Sequence, residues 1–136
     1  MTMPYRSGDA ALPVIAAFNG KLFAFEPATG RHRWVYDFQR AAIVRMALDE
    51  DRVYALVRDE LACLDVYSGG VIWRVRSITG DTLLVAGGLA FVGGAGEIAC
   101  FSRDGNRVWN DELKGHGIGD VTLGYKGVVA SADRSA

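Results

Sequence analysis

The sequence is poor in the residues that most often do chemistry. Its 136 residues include two histidines, two cysteines and three prolines. His32 and His116 have no second His or Cys pair beside them, so metal-ligand spacing is not spelled out. No run approaches the ~18 apolar residues of a membrane span. The segment "ALPVIAAF" follows Asp9 and has no basic stretch before it, unlike a signal peptide. The chain is therefore read as cytoplasmic, or as periplasmic where an export signal has been removed. Fifteen Lys and Arg against sixteen Asp and Glu leave a net charge of -1, so no basic footprint for nucleic acid is present. Helical periodicity is missing as well. Cys63 and Cys100 are read as two reduced, buried, small apolar residues. They fall at matching points of neighbouring segments, so a disulfide between them stays open.

What is present is repetition. "FAFEPATGRHRW" (23–34), "ACLDVYSGGVIW" (62–73) and "ACFSRDGNRVW" (99–109) share one pattern, and their tryptophans Trp34, Trp73 and Trp109 recur at 39 and 36 residues. Self-similarity at such a period decides the fold before any local reading does. Runs such as "KLFAF", "RVYAL" and "EIACF" are apolar or alternating and rich in β-branched and aromatic residues, as strands require. Between them lie turns such as "NGK" and "RDGN", whose Asn and Gly residues tolerate positive φ.

Each unit reads as an antiparallel meander. The first shows three strands, Val14–Phe18, Lys21–Phe25 and Arg31–Phe38, with its innermost strand missing or weak. The second has four: Ile43–Leu48, Arg52–Val57, Leu61–Asp65 and Val71–Ser77. The third has Thr82–Ala86, Leu89–Gly93, Glu97–Phe101 and Asn106–Asp111, and a fourth begins with Asp120–Gly124 and Gly127–Ala132. Four-stranded units of about 40 residues are the signature of β-propeller blades, which bury their faces only by stacking. The expected architecture is all-β. It is a single partial propeller domain over 1–136, with blades at 12–38, 41–77, 81–111 and a partial one at 118–136.

"AFEPATGRHRW" and "CLDVYSGGVIW" resemble the pyrroloquinoline-quinone-like propeller repeat, roughly aliphatic-Ala-Leu-Asp-x-x-Thr-Gly-x-x-x-Trp. The resemblance runs from about Val14 to Ala132. It implies that Trp34, Trp73 and Trp109 pack between blades. It implies likewise that Asp65 and the Thr29-Gly30 and Ser68-Gly69 turns tie one blade to the next. Glu26 and Ser102 depart from the family Asp, which implies weaker docking in the first and third blades. The family includes quinone-dependent dehydrogenases with a full ring, a calcium bound by Glu, Asn and Asp, and often adjacent cysteines. This chain has no adjacent cysteines and is much shorter, so no cofactor, metal or catalytic residue is assigned. A relative implied by the same resemblance is the lipoprotein scaffold of outer-membrane protein assembly. Its lipid-attachment cysteine has no counterpart near the N-terminus here, which argues against that branch.

An arc of about three and a half blades exposes apolar faces and strand edges. The expectation is a ring closed by a homodimer, or by another protein that supplies the remaining blades, with the chain being a fragment of a longer product as a further possibility. Val121, Leu123, Val128, Val129 and Val14 are the candidate interface. The loops "LDED", "SITGD" and "KGHGIGD" are expected to build one binding surface, with His116 and Asp120 as a candidate loop site. On inner strands only Arg45, Thr82 and Thr122 are polar, which favours a non-catalytic interaction scaffold. The alternative is a piece of a quinone-type enzyme or ligand sensor whose site forms only on assembly.

Overall fold

The computed structural model describes residues 12–132. They form thirteen strands in four antiparallel sheets and no helix. Blade 1 contains β1 (Val14–Phe18), β2 (Lys21–Phe25) and β3 (His32–Asp37), in that order. Blade 2 contains β4 (Arg45–Asp49), β5 (Arg52–Val57), β6 (Asp59–Asp65) and β7 (Val71–Ile78). Blade 3 contains β8 (Thr82–Ala86), β9 (Leu89–Gly94), β10 (Glu97–Phe101) and β11 (Arg107–Asp111). Two short strands, β12 (Leu123–Tyr125) and β13 (Val128–Ala130), pair with each other and start a fourth blade. The sheets form an unclosed partial propeller.

Alternation along each strand explains why the blades stack. In β5, Val53, Ala55 and Val57 enter the cluster shared with blade 1, while Tyr54 and Leu56 enter the one shared with blade 3. In β8, Leu83 and Val85 face blade 2, while Leu84 and Ala86 face Leu123 of the fourth blade. A central blade thus buries both faces, and each fully buried aliphatic side chain is worth about 1.5–3 kcal/mol. The innermost strands β4 and β8 lie side by side.

The tight turns follow their residues. Asn19 and Gly20 link β1 to β2 at φ 51° and 76°. A Cβ on Gly20 would fall 1.7 Å from the carbonyl oxygen of Arg40, so only glycine fits there. The β9–β10 turn (Gly94, Ala95, Gly96) has three positive φ values in a row.

Sequence and structure differ at a few boundaries. β4 starts at Arg45 rather than Ile43, β6 starts at Asp59 rather than Leu61, and β12 starts at Leu123 rather than Asp120. A larger correction concerns the loops. In a four-stranded meander the turn after the first strand lies at the opposite end from the connector after the fourth. "LDED" is the turn after β4, and Asp51 accepts a hydrogen bond from Val66 N (2.9 Å) and stands 3.9 Å from Arg103. Both partners lie in turns between third and fourth strands. "LDED" therefore does not share a surface with "SITGD" and "KGHGIGD".

Candidate functional site

Two features stand out: the joints between blades, and a hollow at the connector end. The joints are built twice to one plan. Trp34, on β3, donates its Nε1–H to the carbonyl of Val66 in blade 2 (3.0 Å). Trp73, on β7, donates to the carbonyl of Arg103 in blade 3 (2.9 Å). Each ring lies against a turn glycine, Gly69 and Gly105 respectively, and both glycines have positive φ.

Asp65 acts one step away from the joint. Its Oδ1 accepts from the backbone N–H groups of Tyr67 and Ser68 (2.8 and 3.0 Å) and so shapes the turn that presents Val66. In blade 3, Ser102 Oγ accepts from the N–H groups of Asp104 and Asn106 (3.3 and 3.2 Å) and does the same work. The indole bond on the Ser102 turn is no longer than that on the Asp65 turn, so weaker docking there is not what the distances show.

Three residues assigned to joints make no interblade hydrogen bond or stacking contact of the Trp34 and Trp73 kind among the described residues. Thr29 Oγ1 accepts only from Arg31 N within its own turn (3.2 Å), and a Cβ on Gly30 would meet nothing within 4 Å. Trp109 is 46 % exposed and leans on Phe91 of its own blade. The reason is positional: no described blade precedes blade 1, and β12–β13 carry no turn of the kind that receives an indole.

The candidate interface residues divide. Val121 and Leu123 pack on blade 3, where Gly93 makes room for Val121 and Thr82 Oγ1 donates to Val121 O (2.7 Å). Thr82 is therefore a buried tie between blades. Val14, Val128 and Val129 remain exposed.

At the connector end, residues from five successive segments line an open hollow of about 1400 Å3. Its walls carry Arg40, Arg45 and Arg58, Asp59, Asp81 and Asp120, with Ile43, Leu56, Ile78 and Ile118 between them. Ile43 and Ile118 are 74 % and 91 % exposed. Asp120 lines this hollow, whereas His116 is an exposed residue of the connector and not part of its wall. The connector is held by Gly96 N donating to Gly119 O (3.1 Å).

Beside the hollow lies a residue that sequence reasoning missed. Glu60 is 1 % exposed, hydrogen-bonded by Arg74 Nε and 3.5 Å from Arg40 Nη2. Arg40 also donates to Arg58 O (2.7 Å), which fastens the connector between blades 1 and 2 to the β5–β6 turn. The pair holds Arg74 firmly protonated, with its pKa raised by the hydrogen bond to Glu60. Glu60 shares its side of β6 with Ala62 and Leu64, and that alternation was the available signal.

Cys63 and Cys100 are buried free thiols, and burial pushes the pKa of both up. A thiol held protonated is a poor nucleophile. Among the described residues no three His, Cys, Asp or Glu side chains are grouped to hold a metal ion. No described helix is long and apolar enough to cross a membrane.

Comparison with known proteins gives the same architecture. A search of curated proteins by sequence found no match. Among solved structures, BamB from Moraxella catarrhalis is 24 % identical with a TM-score of 0.59, over 76 % of this chain and 34 % of that one. Quinohemoprotein alcohol dehydrogenase ADHIIG from Pseudomonas putida HK5 is 19 % identical with a TM-score of 0.54, over 71 % of this chain and 19 % of that one. The computationally designed Ika8 protein reaches a TM-score of 0.65 at 15 % identity, over 88 % of this chain and 42 % of that one. At these identities the likeness shows the fold alone. The chain spans about a third of the length of the BamB structure. The model for outer membrane protein assembly factor BamB matches residues 18–124, and the chain belongs to that family of quinoprotein-type propellers.

Proposed function

We propose that the chain is a non-catalytic interaction scaffold, an arc of propeller blades that closes its ring with a second copy and binds an extended polypeptide at its connector end. The observation that carries this reading is the hollow. It is open, it is lined by loops from every blade boundary, and it offers exposed Ile43 and Ile118 among three arginines and three aspartates. Apolar anchors within a mixed-charge rim suit a peptide. The strands at the arc's centre support the same reading, because β8 is buried throughout and its one hydroxyl, on Thr82, is spent on Val121. Family membership agrees with a role in assembly, since the matching model is that of an assembly factor.

Two measurements test it. Light scattering over a dilution series should give a stable dimer, and a monodisperse monomer would sink ring closure by a second copy. A displayed random-peptide library panned against the chain should enrich sequences that an Ile43→Asp/Ile118→Asp variant no longer retains. Equal retention by both proteins would sink the peptide site.

A further inference from the structure

The two joints within the chain leave two half joints over. One is Trp109, which is 46 % exposed and leans at a tilt on Phe91 of its own blade, with ring centroids 6.3 Å apart. The other is the turn from Glu26 to Gly30. That turn already has the shape of the occupied one in blade 2, and the blade 3 turn is a one-residue-shorter version with the same left-handed glycine. Gly30 sits at φ 77°, beside 76° for Gly69 and 84° for Gly105. Its N–H donates to Glu26 O at 2.8 Å, as Gly69 N does to Asp65 O at 2.8 Å and Gly105 N to Ser102 O at 3.0 Å. In the occupied turns the indole covers the glycine and bonds the carbonyl one residue after Asp65 or Ser102. The equivalent carbonyl in the open turn is that of Pro27, an exposed residue. Trp109 and this turn sit on blades 3 and 1, with blade 2 between them, so they face away from each other along the arc.

We propose that Trp109 of one copy docks on the 26–30 turn of a second copy, its Nε1–H donating to Pro27 O and its ring covering Gly30. This rests on the reading of the chain as an arc closed by a second copy, and it names the joint. The occupant is a second copy because this chain carries both halves, each in the geometry of two joints it makes internally. With two copies each half is used once, and a two-fold axis closes the contact. Three Trp-bearing blades per copy then give six, within the ~4–8 of known propellers.

Strand positions agree. β12 occupies the innermost position of a fourth blade, and blade 1 has an unpaired β1 edge among the described residues. Met46 and Leu48 of β4 are exposed on the face away from blade 3, and Val14 and Phe18 of β1 are exposed nearby in the same half of the arc. β12 of one copy would fill that inner position in the other. β13 would then give way to β1, which brings β2 and β3 with it as a ready-made three-strand sheet, whereas β13 is paired to β12 alone.

The experiment is light scattering on the full chain, on Trp109→Ala, on Gly30→Asn and on an equal mixture of the two variants. Asn tolerates positive φ but puts a side chain where the indole must lie. Gly115→Asn is the control, since Gly115 has the same φ as Gly105 and open space around it, away from the joint. Each joint variant should raise the dimer dissociation constant at least tenfold. The mixture keeps one good joint and should dimerise at lower concentration than either variant alone. Gly115→Asn should match the unmodified chain. If Trp109→Ala fails to fold by circular dichroism, Trp109→Phe keeps the ring, removes the donor and should still weaken the dimer. An unmodified dimer that neither variant weakens, or a mixture no better than its parts, overturns the joint and leaves ring closure standing. A monomer at every concentration overturns both.

Discussion

Trp34 lies flat against Gly69 across the boundary between blades 1 and 2: a methyl at position 69 would come within 2.5 Å of the indole Cδ2. Gly105 and Trp73 repeat the contact at 2.6 Å, whereas Gly30 has the same backbone and nothing above it. Alanine at any of the three carries the ~1–2 kcal/mol cost of left-handed φ. At 69 and 105 it also adds an overpacking cost of ~1–3 kcal/mol. Gly69→Ala and Gly105→Ala should therefore lower unfolding free energy about twofold more than Gly30→Ala. Urea melts at low protein concentration measure this directly, and equal losses at all three sites would contradict the stacking argument.

The indole donors give a second comparison. Trp73→Phe keeps an aromatic ring and removes the N–H that reaches Arg103 O. That carbonyl also accepts from Arg52 Nη1 at 2.7 Å, so it stays partnered. Among the described residues Val66 O has no second side-chain donor beside Trp34 Nε1. Trp34→Phe should thus cost more, about 1–2 kcal/mol, than Trp73→Phe at about 0.5–1 kcal/mol. A thermal or denaturant melt of each variant decides the order.

These comparisons show what the sequence carried and what it withheld. The Trp period and the turn glycines were legible because tight turns demand positive φ and because a blade must repeat its contacts to stack. Asp65 was legible as part of the joint but not in its role, since an Asx turn and an interblade contact look alike in one dimension. Ser102 looked like a loss, yet a hydroxyl can accept the same turn N–H groups. The misplacement of "LDED" came from grouping loops by polarity rather than by counting strand reversals. Glu60 was hidden because its burial depends on Arg40 and Arg74, one from a connector and one from the next strand. An acid after a turn otherwise reads as solvated. The hollow is likewise a product of stacking, since its walls come from segments up to eighty positions apart.

Glu60 yields a third prediction. Arg74→Met leaves the carboxylate buried with only Arg40 at 3.5 Å, and breaking a buried pair from one side costs about 3–5 kcal/mol. Glu60→Gln leaves two arginines that are each about one-third exposed and can turn to water, so its cost should be nearer 1–2 kcal/mol. Stability from denaturant melts should rank unmodified chain, Glu60→Gln, then Arg74→Met. The reverse order would mean that Glu60 is hydrated in solution.

A fourth prediction concerns pH. Burial raises the thiol of Cys63 above its ordinary value of 9.0, and it raises Cys100 and Tyr54 in the same direction. The folded chain therefore holds these protons more tightly than the unfolded chain does. The stability they contribute is complete below the unfolded value and is lost as pH rises through the folded value. The melting midpoint should fall as pH climbs past about 9, more steeply than for Cys63→Ala. Parallel curves for the two proteins across that range would show that the thiol is solvated.

The last prediction separates β12 from β13. β12 places Leu123 in the cluster with Leu84 and Ala86, and the segment before it offers Val121 O to Thr82. β13 adds the partly buried Ala130 but leaves Val129 71 % exposed and Val128 43 % exposed. Cutting the chain after Gly119 removes both strands and uncovers the outer face of blade 3. Cutting after Gly127 keeps β12 and its contacts. The first truncation should destabilise blade 3 by several buried side chains, at about 1.5–3 kcal/mol for each large one, and should break the dimer. The second should leave the dimer intact, because β1 of the second copy takes the place of β13. Hydrogen exchange on the full chain offers an independent check: amides 128–130 should be unprotected in the dimer while amides 14–18 become slow. Protection of both segments in the dimer would mean that β13 keeps its place and that the ring closes on another register.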